Sequence, residues 1–268
     1  MAVGVPRLLR RLRPAVAHFV HALPLICPCP AVVTVQDLSW ERDPAVFGRW
    51  DLLTFKLFVR RAVRRARRVI AISERTKRDL VELYGTPPEK IVVTPLAPDP
   101  AFNPAREHDS FLLFVSAIEP RKEPLAAIDA ANAVGRKLVV VGPAKDERLA
   151  AELIRRGADV RGYVPKDELV RLYQRAACLV FPSRFEGFGL PVVEAMASGT
   201  PVVAAPEAAM QEVAGDAAIF TDDLADGIRR ALAERERLAA AGLARAKRFS
   251  WAETARITAD VYRDVLGP

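Results

Sequence analysis

Residues 181–205 read FPSRFEGFGLPVVEAMASGTPVVAA, and this run contains the end of an apolar strand, a glycine loop, a helix and a second strand. The loop holds Gly187 and Gly189 and leads directly into the helix. Pro191 suits the first turn of that helix, and Gly199 suits its C-terminal stop. Apolar strands that alternate with helices predict a parallel sheet covered by helices.

The same alternation continues on both sides of this run. In the second part of the chain, helical stretches separate five apolar segments: FLLFVS (111–116), KLVVVG (137–142), VRGYV (160–164), CLVFPS (178–183) and PVVAA (201–205). The first part contains four more: AHFV (17–20), AVVTV (31–35), VIAIS (69–73) and IVVTPL (91–96). We therefore expect an α/β protein with doubly wound parallel sheets, whose ligands bind beyond the carboxyl ends of the strands.

Two helices are predicted between the strands of the first part. Residues 51–68 have the pattern of a basic amphipathic helix. Residues 74–84 form the second helix, with Ser73 as its N-cap and Gly85 as its C-terminal stop.

Four prolines in the segment PLAPDPAFNP, residues 95–104, interrupt both the strand pattern and the helix pattern. We therefore place a domain boundary there. A shortened Rossmann-like domain is predicted over residues 1–104, and a second, ligand-binding Rossmann-like domain over residues 105–249. Residues 250–268 form a terminal helix with Ser250 as its N-cap, and we expect this helix to pack back on the first domain.

Charge is unevenly distributed along the chain. The net charge is +7; residues 1–104 hold 17 Lys and Arg against 9 Asp and Glu, whereas residues 105–268 hold 23 against 24. Hydrophobic residues make up 51% of the chain, which is enough for a packed core, and no run of eighteen apolar residues predicts a membrane span. We expect a cytoplasmic protein whose two parts have different partners.

The chain has 3 cysteines, too few for a disulfide framework. Cys27 and Cys29 lie near His18 and His21 in the sequence, so a metal site is one interpretation of this segment. Cys-x-Cys without a matching pair is a poor zinc signal, since a tetrahedral site needs four ligands. We favour ordinary packing and expect no metal and no cofactor.

Glu186 and Glu194 lie on either side of the glycine loop's end, one in the loop and one inside the helix. Backbone N–H groups at the start of a helix attract phosphate and sugar hydroxyls. A carboxylate beside such a site is well placed when it accepts hydrogen bonds from ribose or hexose hydroxyls. The alternative is that Glu194 is a solvated helix residue and that the glycines only shape a turn.

Arg121 and Lys122 follow the first strand of the second part, where a doubly wound sheet presents its ligand crevice. A guanidinium and an ammonium together can stabilise a diphosphate leaving group, although solvated loop residues are the alternative. Gln36 and Asp37 follow a strand of the first part, in TVQDLSW (34–40). They can face the same crevice, or Asp37 can satisfy backbone N–H groups of a turn.

Together these motifs resemble the retaining family 4 glycosyltransferases of the GT-B fold. The likeness covers roughly residues 15–265 and is carried by the capped terminal helix and by VSAIEPRKE (115–123), EGFGLPVVEAMASGTPVVA (186–204), VIAISERTKRDL (69–80) and PPEKIVVTPLAPDPAF (87–102). TVQDLSW resembles the TxHDLS segment of the family's mannosyltransferases. The resemblance implies that a sugar of the mannose or glucose type moves from a GDP- or UDP-linked donor to an acceptor hydroxyl, with retention of anomeric configuration and without a metal.

The resemblance also implies roles for individual residues. Arg121 and Lys122 would hold the donor diphosphate, and Glu186 would contact the donor sugar; these are the catalytic residues. The residues that would bind the rest of the donor are Gly187, Phe188, Gly189 and Leu190 through the loop backbone, Glu194 through the ribose hydroxyls, and Val164 beside the base. Gln36 and Asp37 would line the acceptor side.

The chain departs from the family pattern at two points. Gln36 stands where the family usually has histidine, so a neutral amide replaces an imidazole. The resemblance therefore does not identify the acceptor. The first domain also lacks the family's glycine-rich loop and several strand–helix units. A truncated gene model, a naturally short form and one half of a split enzyme are the three explanations.

Two further interpretations concern partners. The basic helix region has arginines at 60, 61, 64, 65, 67 and 68; it can contact an anionic membrane at its inner face, or a lipid-linked acceptor, although a solvated face is favoured. No aromatic stacking motif accompanies the charge, so nucleic-acid binding is not expected. The alternative function is a nucleotide-sugar-binding subunit that needs a partner chain, and a homo-oligomer is also compatible with a short first sheet.

Overall fold

The computed structural model describes residues 4–105 and 107–267 of the chain. These residues divide into two compact units. The first unit contains the chain up to Leu96 together with the segment that starts at Trp251, and the second unit runs from Ala97 to Ser250.

The helices and strands of the chain up to Leu96 are α1 (Gly4–Leu12), β1 (Ala17–Val20), β2 (Ala31–Val35), α2 (Ser39–Arg42), α3 (Arg49–Arg65), β3 (Arg68–Ala71), α4 (Glu74–Tyr84) and β4 (Ile91–Val93). The second unit contains β5 (Leu112–Val115), α5 (Pro124–Ala133), β6 (Leu138–Val141), α6 (Glu147–Arg155), β7 (Asp159–Val160), α7 (Lys166–Arg175), β8 (Cys178–Phe181), α8 (Leu190–Ala197), β9 (Val202–Ala204), α9 (Ala208–Ala214), β10 (Ile219–Phe220), α10 (Leu224–Ala233) and α11 (Arg235–Ala246). The terminal helix is α12 (Trp251–Leu266).

The first unit is built on a four-stranded parallel sheet in the order β1-β2-β3-β4. Val33 of β2 lies opposite Val69 of β3, and both are fully buried. They belong to an apolar cluster that the inner face of α3 covers through Val59 and Val63. Since successive side chains of a strand point to opposite faces, this sheet has apolar residues on both sides.

α12 covers the other face of the same sheet. Val261 packs against Val32 and Ile70. These two residues are adjacent in sequence to Val33 and Val69, whose side chains point to the face covered by α3. The Tyr262 hydroxyl lies 2.6 Å from Nδ1 of His18, and Asp264 forms an ion pair with Arg68. The terminal helix is therefore part of the first unit.

The second unit is built on a six-stranded parallel sheet in the order β10-β9-β8-β5-β6-β7. β5 lies between β8 and β6, and the fully buried Leu113 is paired with Leu179 on one side and Val139 on the other. The strands β6, β8 and β9 are buried along their whole length, and β5 is buried up to Phe114. The carboxyl ends of β5, β6 and β8 consequently lie side by side at one edge of the sheet.

The predicted fold class is confirmed, since both units are α/β with parallel sheets and the first has fewer strands than the second. The ends of α4 are also as predicted. The Ser73 hydroxyl accepts a hydrogen bond from the Thr76 backbone N–H at 3.0 Å, and Gly85 adopts the left-handed conformation that ends the helix.

Several predicted elements have different bounds, and two of these differences have a clear structural cause. Residues 160–164 were expected to form a strand, but β7 ends at Val160, because the chain turns through Gly162, whose carbonyl accepts a hydrogen bond from Gly142 N–H at 2.8 Å. The basic helix was expected over residues 51–68. It ends at Arg65, since Arg68 is already paired with β2 in the sheet.

The division between the units falls before Ala97, whereas the sequence placed the boundary at residue 104. The proline-rich segment packs on α7: Phe102 contacts Tyr173 with 5.4 Å between ring centres, and Gln174 donates to the Asn103 carbonyl at 2.9 Å. Prolines stop the strand here, but the segment from Ala97 onward belongs to the second unit.

A Gly142→Ala substitution tests the close approach at the end of β6. Gly142 has φ +140°, and an added Cβ would collide with the backbone carbonyl of Ser116. We expect a loss of about 3 kcal/mol or more in the free energy of unfolding, because backbone atoms must shift. Gly135→Ala is the control, since Gly135 also has positive φ but open space around it, and it should cost about 1 kcal/mol. Equal losses in urea unfolding would contradict this account.

Candidate functional site

A cavity of about 280 Å³ opens in the second unit where β5, β6 and β8 end. Its wall is mostly apolar, with residues from the ends of all three strands and from the loop before α7. Among the lining residues, the charged side chains are those of Lys122 and Glu186. The parallel sheet thus brings together two residues that are 64 positions apart in the sequence.

Lys122 and Glu186 form an ion pair inside this cavity. The Nζ atom of Lys122 lies 2.5 Å from Oε1 of Glu186, and the two side chains are only 9% and 13% exposed. Lys122 sits in a short 3₁₀ turn after β5, and Glu186 sits in the loop after β8. A charge pair with so little water around it attracts more strongly than a surface pair, and each member needs a replacement partner if a ligand separates them.

Arg121 ties the same two loops together through its guanidinium. Nη1 donates to the Phe185 carbonyl at 2.8 Å, and Nη2 donates to Oε1 of Glu119 at 2.7 Å. Burial alone would raise the pKa of Glu119, but Arg121 and Lys145 bring the pKa below its usual value. Arg121 does not line the cavity; its Nη1 holds the loop that carries Glu186, and its Nη2 is bonded within its own loop after β5.

The glycine loop leads into α8 as the sequence predicted. Gly189 is the residue before the helix and has φ +96°, a conformation in which a side chain would be strained. Pro191 lies in the first turn and lines the cavity. Gly187 and Phe188 are buried and Leu190 is half-buried, and Phe188 packs edge-on against Phe249 at 5.6 Å between ring centres.

Glu194 is not a solvated helix residue. Its Oε2 accepts a hydrogen bond of 3.0 Å from the hydroxyl of Tyr173, which is fully buried in α7. Burial raises the pKa of Glu194 to about 7; the Tyr173 hydrogen bond acts in the opposite direction, and Asp99 adds to the increase. This carboxyl group changes its charge near neutral pH.

Val164 lies on the wall of the cavity and is buried, next to Tyr163, whose side chain is 89% exposed. Both follow Gly162, in the turn that replaces the strand expected at 160–164. This turn therefore forms part of the cavity wall.

Gln36 and Asp37 belong to the first unit, directly after β2. Asp37 accepts a hydrogen bond from the Ser39 backbone N–H at 2.9 Å, which is the contact expected of a turn residue. Gln36 is exposed, and its Oε1 lies 3.4 Å from Nε2 of His21, which follows β1. The carboxyl ends of β1 and β2 thus place an imidazole beside the amide.

The sequence pointed to His21 only as a possible metal ligand and not as a neighbour of Gln36. It has φ +59°, its ring packs edge-on against Trp40, and its Nδ1 is buried with no hydrogen-bond partner among the described residues. Burial lowers the pKa of His21, although Asp37 and Gln36 act in the opposite direction. The imidazole is therefore held neutral at physiological pH.

The cysteine and histidine segment does not assemble into a metal cluster. The sulfur atoms of Cys27 and Cys29 lie 4.0 Å apart, and the His18 ring is bonded to Tyr262 and Thr34. No group of three or more candidate ligands occurs within residues 4–105 and 107–267.

Three further residues at the site carried no sequence signal that we used. Tyr173 is an aromatic residue in a helix whose pattern indicates only a buried face. Tyr163 and Gly142 lie at strand ends, and the carboxyl-end rule could have flagged them because they follow β7 and β6. Only the three-dimensional structure shows which of these residues border the cavity.

The second unit thus combines a parallel α/β fold with a cavity at its strand ends that holds a nearly buried Lys–Glu pair. Comparison with models of protein families identifies the family of this chain. Residues 98–248 match the model of the glycosyl transferases group 1, and residues 1–102 match that of glycosyltransferase family 4. The chain belongs to the group 1 glycosyltransferases, and the predicted family is confirmed.

Individual relatives are distant. The chain is 27% identical to O-antigen chain mannosyltransferase B of Escherichia coli over 87% of this chain and 70% of the relative. It is 33% identical to the D-inositol 3-phosphate glycosyltransferase of Frankia alni, over 75% of this chain and 60% of that protein. The chain therefore spans less than two thirds of the second relative's length.

Among solved structures, Anabaena Alr3699/HepE in complex with UDP and glucose superposes with a TM-score of 0.72 at 21% identity, over 87% of this chain and 70% of that one. This likeness shows the fold. Within residues 4–105 and 107–267, no helix has both the length and the apolar character needed to cross a membrane.

A Glu194→Gln variant tests the burial of the carboxyl group. Native Glu194 has a pKa of about 7, above that of an unfolded chain, so the native state binds a proton more tightly and the free energy of unfolding falls as pH rises from about 4.5 to 7. Gln keeps an acceptor for Tyr173 without the charge. We expect the variant to be more stable than the natural protein at pH 8.5, by on the order of 1 to 3 kcal/mol, and equally stable at pH 4.5 or below.

Urea unfolding at both pH values measures this difference. Glu147→Gln, at an exposed position in α6, is the control and should show no pH-dependent gain. A Glu194→Gln protein that is less stable than the natural one at pH 8.5 would contradict a buried, unfavourable charge.

Proposed function

We propose that the protein is a retaining glycosyltransferase that transfers a mannose- or glucose-type sugar from a nucleotide diphosphate donor to an acceptor hydroxyl, without a metal. The observation that supports this most directly is the Lys122–Glu186 ion pair in the cavity at the strand ends. It offers a cation for a diphosphate and a carboxylate for a sugar hydroxyl within one small, largely apolar space.

The diphosphate leaving group would be neutralised by Lys122 and Arg121. Negative charge develops on the diphosphate as the bond to the sugar breaks, and a fixed cation in a water-poor cavity stabilises that charge. Lys122 is nearly buried already, so little reorganisation is needed. Arg121 would contribute through its remaining donors while it holds the loop after β8.

Glu186 would bind the sugar. When a diphosphate takes over Lys122, the carboxylate needs new partners, and the hydroxyls of a hexose supply them. The backbone N–H groups from Gly187 to Leu190, at the start of α8, would add hydrogen bonds to the donor. Retention of anomeric configuration is part of the proposal and is read from the anomeric signals of the product by NMR.

Glu194 and Val164 would bind the nucleoside. The Tyr173 hydroxyl holds one oxygen of Glu194, so the carboxylate can accept ribose hydroxyls with a fixed orientation. The backbone at Val164, on the cavity wall, would contact the base. Because Glu194 must be ionised to accept both hydroxyls, nucleotide binding should weaken below pH 7.

Two observations bear on the choice of donor. One relative is named a mannosyltransferase, and the TVQDLSW segment resembles the TxHDLS segment of the family's mannosyltransferases. Both observations favour GDP-mannose as the first donor to test. A solved neighbour carries UDP and glucose, so UDP-glucose is the second donor. On the acceptor side, Gln36 and Asp37, with His21 beside the amide, would bind the acceptor hydroxyl.

A second candidate is a nucleotide-sugar-binding subunit that needs a partner chain for activity. β1 is an edge strand of its sheet in the described part of the chain, with His18 and Val20 exposed on it. An unprotected edge can pair with a strand of another chain or of a second copy. This candidate predicts donor binding without turnover until the partner is added.

Turnover separates the two candidates. The purified chain is incubated with GDP-mannose or UDP-glucose and a panel of sugar and lipid-linked acceptors, and released nucleoside diphosphate is measured. We expect release with one donor, lowered about 100-fold or more by Lys122→Ala and by Glu186→Gln, because each removes a charge from the reacting centre. EDTA should leave the rate unchanged.

Lys247→Ala and Glu147→Gln are the matched controls, since both change an exposed charge of the second unit away from the cavity. They should retain the natural rate. If Lys122→Ala and Glu186→Gln also retain it, the assignment of the site is wrong. If the donor binds but no acceptor supports turnover, the subunit candidate is favoured.

A further inference from the structure

The outer face of α3 combines exposed apolar side chains with a cluster of arginines. Trp50, Leu53 and Leu57 are 81%, 59% and 61% exposed. Their spacing of three and four residues places them on one face of the helix. The opposite face, with Val59 and Val63, is buried against the sheet, so the exposed apolar stripe is not needed for the core of the first unit.

Arginines continue the same face toward the end of the helix. Arg64 and Arg65 are exposed, and Arg61 donates to the carbonyl of Leu25 at 2.5 Å. α3 has six basic residues and one acidic residue, Asp51. The outer face is therefore apolar in its first half and strongly cationic in its second half.

The contact of Arg61 adds a second apolar element to this surface. It fixes the loop that contains Leu25 and Ile26, two large side chains that are exposed on the outside of the first unit. Arg65 and Arg67 line a cavity of about 390 Å³ beside the same loop. We call the set of Leu25, Ile26, Trp50, Leu53, Leu57, Arg61, Arg64, Arg65 and Arg67 the α3 surface.

We propose that the α3 surface docks the protein onto an anionic phospholipid bilayer. Large exposed apolar groups that lie next to one another cost free energy in water and mark a surface that is covered in use. Trp is the side chain best suited to the boundary between lipid headgroups and acyl chains, and arginines beside it attract anionic headgroups. The cations would favour the bilayer over a neutral apolar partner. This docking goes beyond the transfer reaction and does not depend on it.

Charge complementarity also predicts how binding responds to conditions. Each basic residue near an anionic surface strengthens binding about fivefold, and salt screens that contribution. The apolar insertion of Trp50 and its neighbours does not depend on salt. Binding should therefore have one salt-sensitive part, from the arginines, and one salt-insensitive part, from the apolar stripe.

Cosedimentation with vesicles tests the proposal on the full chain. Vesicles of phosphatidylcholine are compared with vesicles in which about one third of the lipid is phosphatidylglycerol. We expect strong binding to the second and weak binding to the first. Arg64→Gln with Arg65→Gln should lower the partition coefficient about 10- to 30-fold and reduce its salt dependence. Trp50→Ser with Leu53→Ser should lower it at least about 10-fold with the salt dependence retained.

Tryptophan fluorescence reports whether the helix itself enters the interface. The emission of the natural protein should shift to shorter wavelength on anionic vesicles, and Trp50→Phe should bind almost as tightly but lose most of the shift. Trp40, which is buried, and Trp251 are unchanged in that variant. Ile154→Ser with Lys247→Gln alters an exposed apolar residue and an exposed cation in the second unit, and should bind like the natural protein.

Three outcomes overturn the proposal: equal binding to neutral and anionic vesicles, binding that the α3 variants leave unchanged, and no binding to either vesicle. Sedimentation equilibrium without lipid adds a fourth. If the natural chain is a dimer and Trp50→Ser with Leu53→Ser makes it a monomer, the α3 surface joins two copies instead. Circular dichroism melting of each variant shows that the loss is not one of folding, since all substituted side chains are exposed.

Discussion

The ion pair of Lys122 and Glu186 joins the loop after β5 to the loop after β8 in the wall of the cavity. Neither charge is well hydrated, so each is stabilised mainly by the other. Arg121 reinforces the junction by holding the Phe185 carbonyl, next to Glu186. The parallel order of β8, β5 and β6 is what makes the junction geometrically possible, because it brings strand ends from distant parts of the chain to one edge.

Near this pair, two hydrogen bonds fix further groups at the strand ends of the second unit. Tyr173 holds Glu194 from α7, and the Gly142 N–H ties the end of β6 to the turn before Val164. Such fixed orientation is what electrostatic stabilisation of a developing charge requires. Burial raises the pKa of the Glu194 carboxyl group, and shifted pKa values of this kind are common where ionisable groups form functional sites.

Much of this arrangement follows from sequence patterns that act over short distances. Apolar strand segments, Ser73 as a cap, Gly85 as a stop and the glycine loop before α8 are local, and they were predicted at the observed positions. Residues 161–164 were wrongly placed in a strand, because alternation cannot reveal that Gly162 turns the chain back to bond Gly142. The contacts of Tyr173 with Glu194 and of His21 with Gln36 join separate elements, so no local pattern carries them.

The central claim is that the second unit binds a nucleoside diphosphate at the Lys122–Glu186 cavity. Calorimetric titration of GDP and of UDP into the purified chain tests it most directly, with Glu194→Ala as the companion variant. The account predicts saturable binding of one of the two nucleotides at pH 8, weakened about 10-fold or more by the substitution through the loss of ribose hydrogen bonds. Absence of binding by both nucleotides, or binding that Glu194→Ala leaves unchanged, would contradict it.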